Sequence, residues 1–155
     1  ISLYFIFTNV GGRYSLPKLI MRVIIQRVKN AQVIIDKSEE RTVESGLLVF
    51  LGIEAADNAS DVEWLVNKVL NLRIFNDENE IMNRSLLDSG GGLMVISQFT
   101  IMASTKKGNR PSYIRAAKHE HAFPLYELFL TTAKVQLGKK VVSGTFGSNY
   151  GGVTY

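Results

Sequence analysis

Eight consecutive residues, Gly46-Leu47-Leu48-Val49-Phe50-Leu51-Gly52-Ile53, contain no polar side chain. A strand with one face in water alternates apolar and polar residues, whereas a run without alternation is buried on both faces. This segment reads as a central strand, and whatever folds around it must cover two sides. A second run, Leu93-Met94-Val95-Ile96, begins in the same way but then breaks into Ser97-Gln98-Phe99-Thr100. That break needs a reason.

The flanking segments supply candidate cover. Arg22 to Val28 and Gln32 to Asp36 are rich in Val and Ile, and Lys29-Asn30 between them suits a tight connection, so the two are expected to pair as a hairpin. Ser60-Asp61-Val62-Glu63 has capping-box spacing. After it, Val62, Leu65, Val66, Val69 and Leu70 recur at helical intervals and form one apolar face, with Trp64 at its edge. Asn76-Asp77-Glu78-Asn79 reads as a turn, and Gly90-Gly91-Gly92 as a flexible turn into the next strand. A second helix is predicted from about Ala122 to Leu137, with Pro124 in its first turn, Leu125, Leu128, Phe129 and Ala133 inward, and Gly138 as its stop. Lys140 to Val142 resumes a strand. Successive strands interrupted by two helices, not in strict alternation, imply an α+β fold: a compact single domain with a curved, barrel-like β-sheet and two helices.

Composition is compatible with this. A chain of 155 residues, 46% hydrophobic and 21% charged, can bury roughly two thirds of the surface its unfolded form exposes. The absence of cysteine excludes disulfides, thiolate nucleophiles and cysteine-ligated metals together, and is consistent with a reducing compartment. The net charge of +4 favours anionic partners, nucleic acid first. Residues 1–20 hold an apolar run too short to span a bilayer, without a basic leader or a small-residue cleavage site. The domain is expected to occupy residues 21–155, with residues 1–20 an N-terminal extension outside it and no membrane association.

Conventional catalytic groups are scarce. His119 and His121 lie two apart, which on a helix points them to different faces. A zinc pair would want a spacing of four, and no carboxylate or cysteine cluster completes a site, so they read as solvated and no metal is expected. The triple glycine lacks the ending of a phosphate loop. Lys106-Lys107-Gly108-Asn109-Arg110-Pro111-Ser112 is a loop composition that can follow a phosphate backbone or lie as a solvated basic loop. Period-two alternation would put Ser97 and Phe99 on one face and Gln98 and Thr100 on the other, so whichever face is buried receives a polar group. Leaving that group unsatisfied costs about 1–3 kcal/mol, which suits a strand end that lines a pocket or emerges into solvent. Thr100 as a nucleophile would need a base, and the neighbouring sequence supplies neither His nor carboxylate. Two options remain: backbone amides that stabilise an oxyanion, or a substrate that brings its own reactive group.

Taken in order, MRVIIQRV from Met21, GLLVFLGI, LNLRIFND, the Met82-Asn83 pair, SQFTIMAS and KGNRPSY resemble the D-aminoacyl-tRNA deacylases, also called D-tyrosyl-tRNA deacylases, from about Met21 to Gly147. The resemblance implies the deacylase-family fold in a cytoplasmic homodimer with sites at the subunit interface. The implied reaction is hydrolysis of the ester between a D-amino acid, or glycine, and the terminal adenosine of tRNA, with no cofactor and no metal. It further implies a catalytic segment of Gln98, Phe99 and Thr100, in which backbone amides near Gln98 and Phe99 and the substrate's 2′-hydroxyl replace a side-chain nucleophile. Ser97, Gln98, Met82, Pro111, Gly151 and Gly152 are the implied substrate-binding residues, and Lys106, Lys107 and Arg110 face RNA. Aminoacyl-tRNA is the expected partner, not DNA.

The chain departs from the family pattern at its end. Chiral selection in the family uses a cis Gly-Pro pair in an Asn-x-Gly-Pro-x-Thr motif. Here Asn149-Tyr150-Gly151-Gly152-Val153-Thr154 has Gly where Pro belongs. Several residues that would form another strand after Phe146 are missing. A non-proline cis bond costs about 2.5–4 kcal/mol, against about 0.5–1 for proline, so Gly152 is not expected to hold that geometry. This departure puts both chiral selectivity and the final strand in question. The alternatives are a non-catalytic basic tRNA- or RNA-binding domain, or a family member with relaxed chirality.

Overall fold

The Gly46–Gly52 run becomes the third of five strands in the larger sheet, with cover on both faces. The structure, a computed structural model, describes residues 3–9, 19–147 and 150–155. Its elements are β1 (Leu3–Asn9), β2 (Leu19–Val28), β3 (Ala31–Ile35), β4 (Glu39–Val43), β5 (Gly46–Gly52), α1 (Ala59–Asn71), β6 (Phe75–Asn76), β7 (Met82–Arg84), α2 (Leu86–Ser89), β8 (Gly92–Ser97), α3 (His119–Leu137), β9 (Val141–Ser143) and β10 (Tyr150–Thr154). The larger sheet has the order β1-β2-β5-β8-β9, a second sheet has the order β10-β3-β4, and β6 pairs with β7. β2 runs antiparallel to both of its neighbours, β1 and β5, whereas β5–β8 and β8–β9 are parallel.

Two cores share the central strands. Leu47, Val49 and Leu51 of β5, with Leu93 and Val95 of β8, pack against α1 and α3 through Val62, Leu65, Val69, Tyr126 and Phe129. The intervening residues Leu48, Met94 and Ile96 face the second sheet and meet Ala31, Val33, Ile35 and Val43. Period-two alternation thus delivers one strand to two apolar layers, and this is why neither run could afford a polar residue before Ser97. Each fully buried Leu or Met contributes about 1.5–3 kcal/mol, so this double cover is a main source of stability.

The domain is α+β, with three helices rather than two, because Leu86–Ser89 forms a short helix capped by Ser85 and Asp88. Among the described residues the strands form open sheets and no closed barrel. The expected hairpin between residues 22–28 and 32–36 does not form. Both edges of β2 are taken by β1 and β5, while β3 pairs with β4 and β10. The Lys29-Asn30 corner reverses the chain and also moves it from one sheet to the other; its composition specifies the turn but not the strand's partner.

Helix boundaries shifted for local reasons. α1 is capped by Asn58 and Asp61, not Ser60 and Glu63: the Asn58 side chain accepts from the amides of Ser60 and Asp61, and Asp61 returns a bond to the Asn58 amide. Asn is among the best N-cap residues and outcompetes the serine two positions later. α3 begins at His119, so Pro124 lies in its second turn rather than its first. There it removes one bond to the Glu120 carbonyl on the exposed side. Phe129 and Ala133 are buried as expected, Leu125 and Leu128 are partly buried, and Tyr126 and Leu130 complete the inward face. Gly138 ends the helix at φ 60°.

The final strand, which the sequence put in question, is present as β10. β10 pairs antiparallel with β3, with Gly152 opposite Ile34 and Val153 opposite Val33. No peptide bond among the described residues is cis. Asn149 of the C-terminal motif and residues 10–18 of the N-terminal segment lie outside the described residues.

Candidate active site

The polar break begins where β8 leaves the sheet. Ser97 is its last residue and sits opposite Leu51, and the Gln98 amide donates to the Leu51 carbonyl at 2.8 Å. Strand geometry then stops. Phe99–Met102 forms a 3-10 turn headed by Gln98, so the alternation expected through Thr100 does not hold. The turn is shaped by what it packs on: Met102 is buried, and Ile101 lies over Gly52 so closely that a Cβ there would be 2.6 Å from its Cγ1.

This geometry sorts the amides. The Gln98 N–H is spent on Leu51, which corrects the expectation that it faces substrate. The Ile101 and Ala103 N–H groups donate back to the Gln98 and Thr100 carbonyls. The first two amides of such a turn, those of Phe99 and Thr100, have no acceptor within it. Among the described residues neither takes a protein acceptor. Two adjacent amide donors beside a polar strand end form an arrangement that can bind an oxyanion.

The side chains support the same division. Gln98 Nε2 donates to Thr100 Oγ1 at 2.5 Å. A carboxamide is not basic enough to take the hydroxyl proton, whichever way it is turned, so Thr100 gains a positioned hydroxyl but no activating base. Phe99 is 58% exposed and meets Tyr113 edge to face, with ring centroids 5.3 Å apart.

Tyr113 follows the basic loop, which places that loop beside the turn. Ser104 and Ser112 exchange two backbone bonds of 2.9 Å each. Lys106, Lys107, Arg110 and Pro111 lie between them and are exposed, and Gly108 sits at φ 122° near the tip. The far side of the loop is held by an ion pair in which Arg115 Nε reaches Glu54 Oε1 at 2.7 Å. Glu54 is in turn fixed through its amide, which donates to buried Asp57 at 2.6 Å. The second Asp57 oxygen accepts the Met21 amide at 3.0 Å. Burial pushes the Asp57 pKa up to about 6, against the opposing pull of the Glu54 and Met21 amides.

Ser97, Gln98, Phe99, Thr100, Pro111 and the three cations are thus gathered at the leaving ends of β5 and β8. Met82 is not among them. It lies on the β6–β7 hairpin, tied to the other end of the sheet by Arg27 Nη1, which donates to Ile74 O at 2.7 Å and Asn76 Oδ1 at 3.0 Å. The four-residue step along β5 from Leu47, opposite Arg27, to Leu51, opposite Ser97, corresponds to about 13 Å along the strand. Gly151 and Gly152 belong to β10 in the second sheet. A cavity of about 540 Å³ is lined by Gln26, Arg27, Lys29, Ser45, Phe75 and Tyr155 at that entering end, and no residue of the Ser97–Thr100 segment borders it. His121 is exposed, as expected, but Nε2 lies 2.9 Å from the Asp57 carbonyl oxygen, and His119 stacks on Phe123.

Arg22, Gly52, Tyr113 and the Glu54–Arg115 pair escaped the sequence reading. The one available signal was Arg22, a charge inside an apolar strand.

The chain has an α+β fold that exposes a polar turn at the carboxyl ends of two parallel strands. A family profile described as D-Tyr-tRNA(Tyr) deacylase matches residues 24–151, and the chain belongs to that family. It is 52% identical over 129 residues to the D-aminoacyl-tRNA deacylase of Phocaeicola vulgatus, covering 83% of this chain and 86% of that one. It is 55% identical over 129 residues to the protein of the same name from Azobacteroides pseudotrichonymphae, with the same coverage. Among solved structures it resembles the c-Myc DNA unwinding element binding protein, with a TM-score of 0.79 and 31% identity over 84% of this chain and 88% of that one. The fold alone is shared with a probable eukaryotic D-amino acid tRNA deacylase, with a TM-score of 0.77 and 15% identity over 88% of this chain and 93% of that one.

Proposed function

We propose that this chain hydrolyses the ester bond of D-aminoacyl-tRNA, and of glycyl-tRNA as well, releasing the free amino acid and tRNA. It acts in the cytoplasm as a homodimer. The observation that carries the reading is the Gln98–Met102 turn, which lies within the family-matched residues and presents two amides without protein acceptors beside Ser97 and Gln98. The Phe99 and Thr100 amides bind the carbonyl oxygen as negative charge develops on it, and the Ser97 and Gln98 side chains hold the aminoacyl-adenosine. Water supplies the oxygen of the released carboxylate as the ribose oxygen leaves with a proton, and the substrate's 2′-hydroxyl assists this step in place of side-chain chemistry, consistent with a Thr100 whose closest partner is a carboxamide. The chemistry calls for no cofactor and no metal.

Lys106, Lys107 and Arg110 lie on the same side as the turn and suit acceptor-stem phosphates. The dimer reading draws on exposed apolar groups around the turn: Phe99 at 58%, Tyr113 at 38% and Ile114 at 89%. A second copy seated there would enclose a site that a single chain leaves open. Relaxed chirality is the alternative within this reading, favoured by Gly152, which stands where the family pattern has proline and lies in a sheet position opposite Ile34.

The direct test is release of tyrosine from D-Tyr-tRNA and from L-Tyr-tRNA. Turnover of the D-ester supports the reading, and similar turnover of the L-ester supports relaxed chirality; a folded dimer that cleaves neither would overturn it. The competing reading is nucleic-acid binding without catalysis, which the exposed basic loop and the name of the 31%-identical structural relative favour. It predicts equal affinity for charged and uncharged tRNA, with steep salt dependence.

A further inference from the structure

Besides the Gln98–Leu51 bond, two contacts from residues outside the turn seat it on the sheet. From β2, Arg22 Nη1 donates to the Ile101 carbonyl at 3.0 Å, in a partly buried bond that spans 79 residues of sequence. From β5, Gly52 leaves the space that Ile101 and Met102 fill: a Cβ there would stand 2.6 Å from Ile101 Cγ1 and 3.0 Å from Met102 Sδ. Arg22 and Gly52 are opposite each other in the β2–β5 register. One rung of the sheet therefore sets both the height and the tilt of the turn.

We propose that Arg22 and Gly52 are positioning residues for the reaction, acting through the turn to aim the Phe99 and Thr100 amides. The assignment rests on the reading of that turn as the oxyanion site. A guanidinium bond to a carbonyl at the end of a 3-10 turn restrains the backbone whose first two N–H groups do the binding. Charge-assisted bonds are stronger than neutral ones, and this one is partly buried. Amides displaced from their aim lose transition-state interaction while the ground-state ester and the tRNA body still bind, so the loss falls on kcat rather than KM.

The test compares Arg22→Ala, Arg22→Lys and Gly52→Ala with the unmodified chain, using D-Tyr-tRNA and correcting for the folded fraction by circular dichroism at the assay temperature. Arg22→Ala is expected to lower kcat about 10- to 100-fold with KM changed less than about threefold. Arg22→Lys, which keeps a cationic donor, recovers most of it. Gly52→Ala shows the same split from the other contact. An unchanged kcat in Arg22→Ala, or no rescue by lysine, would overturn the proposal. Amide exchange of Ile101 and Ala103 provides a readout independent of activity: about tenfold faster exchange in Arg22→Ala supports the seating role, and unchanged exchange counts against it. If the unmodified chain cleaves no ester, the functional reading fails, while the exchange experiment still decides whether Arg22 holds the turn.

Discussion

At the entering end of the parallel pair β5–β8, Gly46 packs on Gly92 so tightly that a Cβ on Gly46 would collide with the Gly92 carbonyl. At the leaving end, Gly52 makes room for a side chain, and the strands open onto a turn with exposed aromatic and cationic neighbours. At one end glycine lets backbone meet backbone, with the amide of Gly92 satisfied by Ser45 O at 3.0 Å. At the other it lets a loop settle and leaves two amides without protein acceptors. The difference teaches where a fold can place chemistry: the closed end serves stability, and the open end, outside the carboxyl ends of parallel strands, is where ligands bind in open α/β sheets.

Substitutions at the two ends should therefore fail in different ways. Gly46→Ala is expected to have the largest effect, a loss of about 3 kcal/mol or more, because the obstacle is backbone and cannot rotate away. Thermal unfolding would register this as a drop of roughly 10 °C, with activity falling only in step with the folded fraction. Gln98→Ala, at the open end, should cut kcat/KM for D-Tyr-tRNA at least about tenfold while the melting temperature moves little. If both substitutions lower stability equally and activity only in proportion, the contrast between the ends disappears.

Next in size, the combined Lys106→Ala, Lys107→Ala, Arg110→Ala variant should weaken tRNA binding and flatten its salt dependence, the slope falling by up to about three for three phosphate contacts. Binding titrations at two salt concentrations measure this, and an unaltered slope would remove the loop from the interface. Thr100→Val should leave hydrolysis within about tenfold of the parent, since a true nucleophile would cost far more. A loss of several orders of magnitude would restore the hydroxyl to a covalent role.

The smallest expected effect concerns Asp57, which anchors the Glu54 segment behind the open end. Its folded pKa, about 6, lies above the ordinary 3.8, so the folded state binds that proton more tightly than the unfolded one. Its contribution opposes folding in full above pH 6 and fades as pH falls from about 6 toward 3.8. Melting temperatures of the parent should therefore rise relative to Asp57→Asn between pH 7.5 and pH 5, and parallel curves would show that the buried carboxyl does not titrate there. Asp77 and Asp88 do not confound this window. Amide donors from Asn79 and Ile81, and from Ser85, hold their pKa values below the ordinary range, so their stabilising contributions are lost only at lower pH.

Legibility in the sequence followed the range of the interactions. The helix face Val62, Leu65, Val66, Val69 and Leu70, the stop at Gly138 and the two-sided burial of Gly46–Gly52 all rest on local periodicity, and all are present. The pairing of β3 with β10 and the separation of Met82 from Ser97 depend on contacts tens of residues apart, and the closeness of the Lys106–Arg110 loop to Phe99 on the Phe99–Tyr113 contact; periodicity carries no signal for any of them. Even the break at Ser97 was only half legible. Its polarity was visible, but the 3-10 turn that replaces alternation exists because Gly52 and Arg22 receive Ile101.

By itself, then, the sequence determined which strands had to be central, where the helices stop and which segment carries reactive polarity, since these follow from nearest-neighbour chemistry and the periods of helix and strand. Only the tertiary structure decided which amides of that segment are spent and which remain for a ligand. That outcome depends on the register of β5 against β8 and on a guanidinium arriving from β2, and no local pattern encodes either.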